Sequence, residues 1–125
     1  MRLNMKKVTK ILTLLISYLL IAHSNISANE AEVSAEALEK GKQIAFDRKK
    51  GNCLACHYVQ GGTLMGTTGP GLIAMKQRFP KRETLVVQIA DARIKNKDTI
   101  MPPFGAHGIL TEEELTLVVD WLYTL

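Results

Sequence analysis

Gly51-Asn52-Cys53-Leu54-Ala55-Cys56-His57 decides how the rest of this chain is read. Cys-x-x-Cys followed by His is the attachment pattern of c-type haem, a covalently held iron porphyrin. On one helical turn the two thiols, three residues apart, fall on the same side, where each can add to a haem vinyl group. His57, next along, presents an imidazole nitrogen to the iron. Two other uses of such a pair fit less well. Zinc wants four ligands, and beyond these two cysteines only His107 is a plausible donor after the N-terminal segment. A thioredoxin-like dithiol follows a strand, whereas Lys49-Lys50-Gly51-Asn52 reads as a turn after a helix.

The N-terminus argues for export. Arg2, Lys6, Lys7 and Lys10 precede an apolar run from Ile11 to Ala22 and then a small-residue region, the three parts of a secretory signal. Residues 1–28 are expected to be removed after Ala28, leaving a domain at 29–125 in the periplasm. The apolar run is about a dozen residues where a spanning helix needs about 20, so no stable membrane anchor is expected. The leader holds cations without acids, so the rest of the chain carries 12 Lys and Arg against 12 Asp and Glu. Its formal neutrality removes the basis for inferring nucleic-acid binding from the basic whole-chain pI.

The remaining length suits one small domain, whose core would be marginal unless a large apolar cofactor filled its centre. Ser34 can cap a first helix to about Asp47, with Ala37, Leu38, Gly41, Ile44 and Ala45 on an inner stripe. Gly41 inside that helix marks a close crossing with another helix. The last helix is the expected partner: Thr111-Glu112-Glu113-Glu114 is a capping box, and Leu115, Val118, Val119 and Leu122 form an apolar face beside Trp121 and Tyr123. Between them, the spacing predicts a short helix from Leu72 to Arg78 and a longer one from about Glu83 to Lys95 with Ile94 on its apolar side. No run alternates as a strand. The expected fold is all-α, of the class I cytochrome c kind, with three to four main helices and glycine-rich loops such as Gln60 to Gly71 around one covalent haem.

Function then turns on the second axial ligand. Met65 follows His57 too closely for the chain to pass round the macrocycle, and Met75 sits on the apolar side of a predicted helix as core filler. His107, between Ala106 and Gly108, reads as a surface loop residue. Met101 has the best context, because Pro102-Pro103 stiffens the loop that would hold its thioether. A metal-bound imidazole donates its other N–H to a carbonyl, and Pro70 within Gly69-Pro70-Gly71 is the nominated acceptor.

Beyond the haem motif, Met75-Lys76-Gln77-Arg78-Phe79-Pro80, Met101-Pro102-Pro103-Phe104-Gly105, Ile109-Leu110-Thr111-Glu112-Glu113-Glu114 and Val118-Val119-Asp120-Trp121-Leu122-Tyr123-Thr124-Leu125 resemble the SoxX family. That family is the small monohaem subunit of the SoxAX cytochrome of sulfur oxidation. The resemblance implies haem on Cys53 and Cys56 and iron ligation by His57 and Met101. It also implies a heterodimer with a dihaem or monohaem SoxA-like cytochrome, in which thiosulfate is oxidatively joined to a cysteine of the SoxYZ carrier. Chemistry of that L-cysteine S-thiosulfotransferase type is attributed to the SoxA side, and this chain would pass electrons to a soluble cytochrome c. With both cysteines consumed by haem, no thiol is left here for a sulfur intermediate. The competing expectations are a free-standing periplasmic carrier to a terminal oxidase and a gas-binding protein with an open sixth position.

Overall fold

The computed structural model describes residues 33–125, so the leader and its cleavage site after Ala28 lie outside the described residues. Four α-helices follow in order: α1 (Ala35–Phe46), α2 (Met75–Arg78), α3 (Arg82–Ala90) and α4 (Glu112–Leu122), with 3-10 turns at Cys53–Ala55 and Ala92–Ile94. Among the described residues there is no strand.

α1 and α4 each start where a side chain can satisfy free N–H groups. Ser34 Oγ accepts from Ala37 N at 3.2 Å, and Thr111 and Glu114 exchange reciprocal bonds of 3.2 and 3.0 Å, the expected capping box. α1 and α4 then pack together. Their crossing is set by Gly41, where an added Cβ would run into the Leu117 carbonyl and lie 3.0 Å from Trp121 Cβ. Glycine allows the backbones to approach to that distance. Phe46 meets the Trp121 ring edge-on, with centroids 5.6 Å apart, and closes the same seam. The core of Ala45, Val59, Leu72, Met75, Leu85, Ile89, Phe104, Leu110 and the inner face of α4 continues from this crossing.

Two expectations are corrected. The helix predicted to run to Lys95 stops at Ala90. Asp91 turns to an extended backbone, its carboxylate accepts from Arg93 N at 3.1 Å and pairs with the Arg93 guanidinium, and a short 3-10 turn follows. Asp side chains compete with the helix ladder in this way. The Ala90 carbonyl is also taken, at 3.0 Å each, by Gly105 N and Ala106 N. Ile94 is consequently 70% exposed rather than packed. The short helix begins at Met75 instead of Leu72, because Ala74 has a left-handed backbone. Its first N–H, on Met75, bonds the carbonyl of the last residue, Leu125, at 3.0 Å. α3 is tied to α4 by Arg82, whose guanidinium reaches Asp120 at 2.5 Å.

Candidate functional site

α1 ends in a tight reversal that aims the cysteine motif at the core. Asn52 N and Lys50 N both return to the Asp47 carbonyl, Gly51 N bonds the Ile44 carbonyl at 3.1 Å, and Asn52 takes a left-handed φ of 45°. Gly51 has no room for a side chain, since a Cβ would lie 2.8 Å from the Ile44 oxygen. The motif itself forms a 3-10 turn rather than an α-helical one. Cys56, just past the turn, returns its N–H to the Cys53 carbonyl at 3.2 Å, which keeps the two cysteines close. His57 N closes the turn on the Cys53 carbonyl at 2.9 Å.

A cavity of about 640 Å³ opens behind this turn. It falls within the range of about 300–1,000 Å³ usual for cofactor sites. Cys53, Cys56, His57, Pro70 and Met101 all line it, so the residues singled out from sequence converge on one space. Its far walls are apolar: Leu72, Met75, Phe79, Leu85, Ile89, Phe104, Leu110, Val118 and Leu122. Burial pushes the Cys53 thiol up to about 11.

The imidazole has a built seat. His57 Nδ1 lies 2.7 Å from the Pro70 carbonyl. Gly69 faces the ring so closely that an added Cβ would lie 2.6 Å from Nδ1 and 3.0 Å from Nε2. Gly69 N bonds the Cys56 carbonyl at 2.8 Å, and Arg78 donates to the Gly71 carbonyl at 2.7 Å, pinning both ends of the Gly-Pro-Gly loop. Sequence reasoning did not single out Gly69 or Arg78. The signal for Gly69 was its place beside Pro70, whereas nothing in the sequence sets Arg78 apart from the neighbouring cations Lys76, Lys81 and Arg82.

The other candidate ligands are placed elsewhere or used otherwise. Met65 Sδ accepts from Val59 N at 3.2 Å and does not line the cavity. Met75 is buried in the core and also touches the cavity. His107 is exposed, with Nε2 3.5 Å from the Arg93 guanidinium. Met101 is held at the cavity wall by its N–H bond to Thr99 Oγ1 at 3.2 Å.

The cytochrome c family model matches residues 38–125. The chain belongs to the cytochrome c family. One covalently attached haem c is its cofactor, and Cys53 and Cys56 with His57 fit the attachment motif. The paired thiols, seated imidazole and apolar cavity suit that group. Electron transfer is the function of this cytochrome, and the bound haem iron supplies one-electron exchange between its ferrous and ferric states. The cytochrome is similar to the crystal structure of SoxXA from P. pantotrophus, at 27% identity and a TM-score of 0.62, over 69% of this chain and 79% of that one. Together the two findings support a SoxX-like monohaem cytochrome. No curated protein matches the sequence. No helix among the described residues is long and apolar enough to cross a membrane.

Proposed function

We propose that this cytochrome is the electron-accepting subunit of a SoxAX-type complex, relaying electrons from thiosulfate oxidation to a soluble cytochrome c. The likeness to SoxXA carries this reading, since it joins a matching fold to 27% identity across most of both chains. In it, the partner is a SoxA-like cytochrome, and sulfur is coupled to a SoxYZ cysteine on the partner's side. This subunit is not itself the catalyst. The leader of residues 1–28 delivers it to the periplasm, with cleavage after Ala28.

Within the site, His57 and Met101, which both line the cavity, would hold the haem iron through an imidazole nitrogen and a thioether sulfur. Cys53 and Cys56 would anchor the haem by thioether bonds, and Pro70 orients the imidazole by accepting its N–H. The apolar far walls would give the group a low-polarity surround, which favours a small rearrangement with each electron.

Size exclusion of the matured protein mixed with a SoxA-like cytochrome tests the assignment. Stable co-elution at micromolar concentration is expected. A chain that stays monomeric beside that subunit is a free-standing carrier instead.

A further inference from the structure

We infer that the imidazole-side face, with Tyr58 and Ile73 at its centre and Lys76 and Arg78 beside them, is the docking site for an acidic soluble redox protein that takes the electron from this cytochrome. The inference rests on the proposed relay to a soluble acceptor and names the face that relay uses.

Charge is sorted along the chain. The segment 48–82 holds seven of the 12 Lys and Arg that follow the leader and none of the 12 Asp and Glu. Two of the seven, Lys50 and Arg82, are paired with Glu114 and Asp120 of α4. Arg78 gives its donors to neutral loop carbonyls, and Lys76 has no ion-pair partner among the described residues. Both charges are left uncompensated.

These cations stand beside an apolar patch. Tyr58 is 47% exposed and Ile73 54%. The Tyr58 ring lies against Gly71, where an added Cβ would be 3.6 Å from it, and the Tyr58 carbonyl accepts from Leu72 N at 2.8 Å. Leu72 turns into the core, which leaves Ile73 next to it on the outside. Arg78 pins this edge by bonding the Gly71 and Ile73 carbonyls, 2.7 and 3.4 Å away. A single exposed apolar side chain is ordinary, whereas two on one pinned loop, in a field of one sign, form an apolar centre with a positive rim. The complementary surface is an apolar patch rimmed by carboxylates.

Two features suit this face to electron exit. Tyr58 is joined to His57 by a peptide bond, so the patch begins one residue from the imidazole. Tyr58, Ile73 and Lys76 also do not line the cavity. A partner here meets residues distinct from the cavity lining, where Ile100 is 74% exposed, and a relay between two proteins needs two such sets. One electron passes from the ferrous cytochrome to the oxidised acceptor, with no proton or group transferred.

The test pairs the haem-loaded cytochrome with an oxidised c-type cytochrome of strongly acidic surface. Calorimetry with both proteins ferric gives Kd, and stopped flow from the reduced protein gives the bimolecular rate. Wild type is compared with Lys76→Glu, Ile73→Ser and a charge-matched control, Lys97→Glu, on the exposed stretch before Met101. Lys76→Glu and Ile73→Ser should each weaken binding and slow the rate by about three- to tenfold at low salt, the Lys76→Glu effect shrinking as salt rises. Lys97→Glu should change either by less than about twofold. Each variant should keep the wild-type Soret spectrum, and Lys76→Gln and Ile73→Thr replace any that does not. Wild-type Kd and rate in the two patch variants would overturn the inference. So would an equal or larger loss in Lys97→Glu, which moves the exit to the methionine loop, or a wild type that does not bind the acceptor. Adding the SoxA-like cytochrome separates this inference from the assignment. Co-elution with an unchanged rate to the acceptor supports both, whereas co-elution with the rate lost gives the face to that subunit and overturns the inference alone. Failed co-elution with the Lys76→Glu effect intact overturns the assignment alone.

Discussion

His57 and Pro70 face each other across 2.7 Å, imidazole Nδ1 to backbone carbonyl, although 13 residues separate them in sequence. A carbonyl can only accept, so Nδ1 carries the proton and the lone pair of Nε2 is left free for a metal. The proline ring is not what makes the contact. What lets the carbonyl come so near is the missing side chain one residue earlier, at Gly69.

Gly69→Ala should therefore be far more damaging than Pro70→Ala. The alanine methyl would overlap the imidazole, and the yield of low-spin holo-cytochrome should fall about tenfold or more. Pro70→Ala keeps the carbonyl and should lose little. Haem content per polypeptide, measured beside the low-spin absorption spectrum, separates the two variants. Equal yields would show that the glycine seat is dispensable.

Met101→Ala removes the proposed second axial ligand while leaving Thr99 and the proline pair to hold the loop. The charge-transfer band should vanish, the ferric iron should become high-spin, and the reduced protein should bind carbon monoxide. An unchanged spectrum would transfer the ligand role elsewhere, with Met75 the first to examine because it too touches the cavity.

Gly41→Val should destabilise the helix crossing without touching the haem spectrum. Its side chain would meet the Leu117 carbonyl and Trp121 Cβ, and neither is the free end of a flexible group. Overpacking of this kind costs about 1–3 kcal/mol, and each kcal/mol lowers Tm by about 4–8 °C in a domain of this size. Thermal unfolding followed at the Soret band gives the answer, and a wild-type Tm would mean that the helices separate at little cost.

Acid stability should depend on Glu114. The Lys50 ammonium 2.7 Å away, and then the Thr111 N–H, hold its carboxyl below the usual carboxylate range. A group whose pKa is lowered by folding stabilises above its unfolded value, about 4.3, and loses that contribution as pH falls through the folded value. Glu114→Gln keeps the capping-box acceptor but loses the charge facing Lys50, and should lower Tm by a few degrees at pH 7, roughly the loss of one surface ion pair. It should lose this difference from wild type below pH 4. A pH-independent gap would assign the effect to packing alone.

Local chemistry was legible in the sequence. The haem motif, the capping box at Thr111, the close-contact role of Gly41 and the all-α class each depend on residues within one or two turns of each other, or on a periodicity that survives any packing. The extent of α3 was not legible, because its end is decided by competition for one carbonyl. Ala90 is bonded by Gly105 and Ala106 from a loop more than a dozen residues away, and Asp91 turns inward on Arg93. The placement of Ile94 on solvent follows from that break. The site divides in the same way. The spacing of Cys53, Cys56 and His57 was enough to point to a covalent haem, since these residues fit the attachment motif. Only the tertiary fold brought the Gly69 backbone flat against the imidazole and Arg78 onto the loop carbonyl, because each is a contact across space between segments whose sequences carry no periodic or spacing signal of one another.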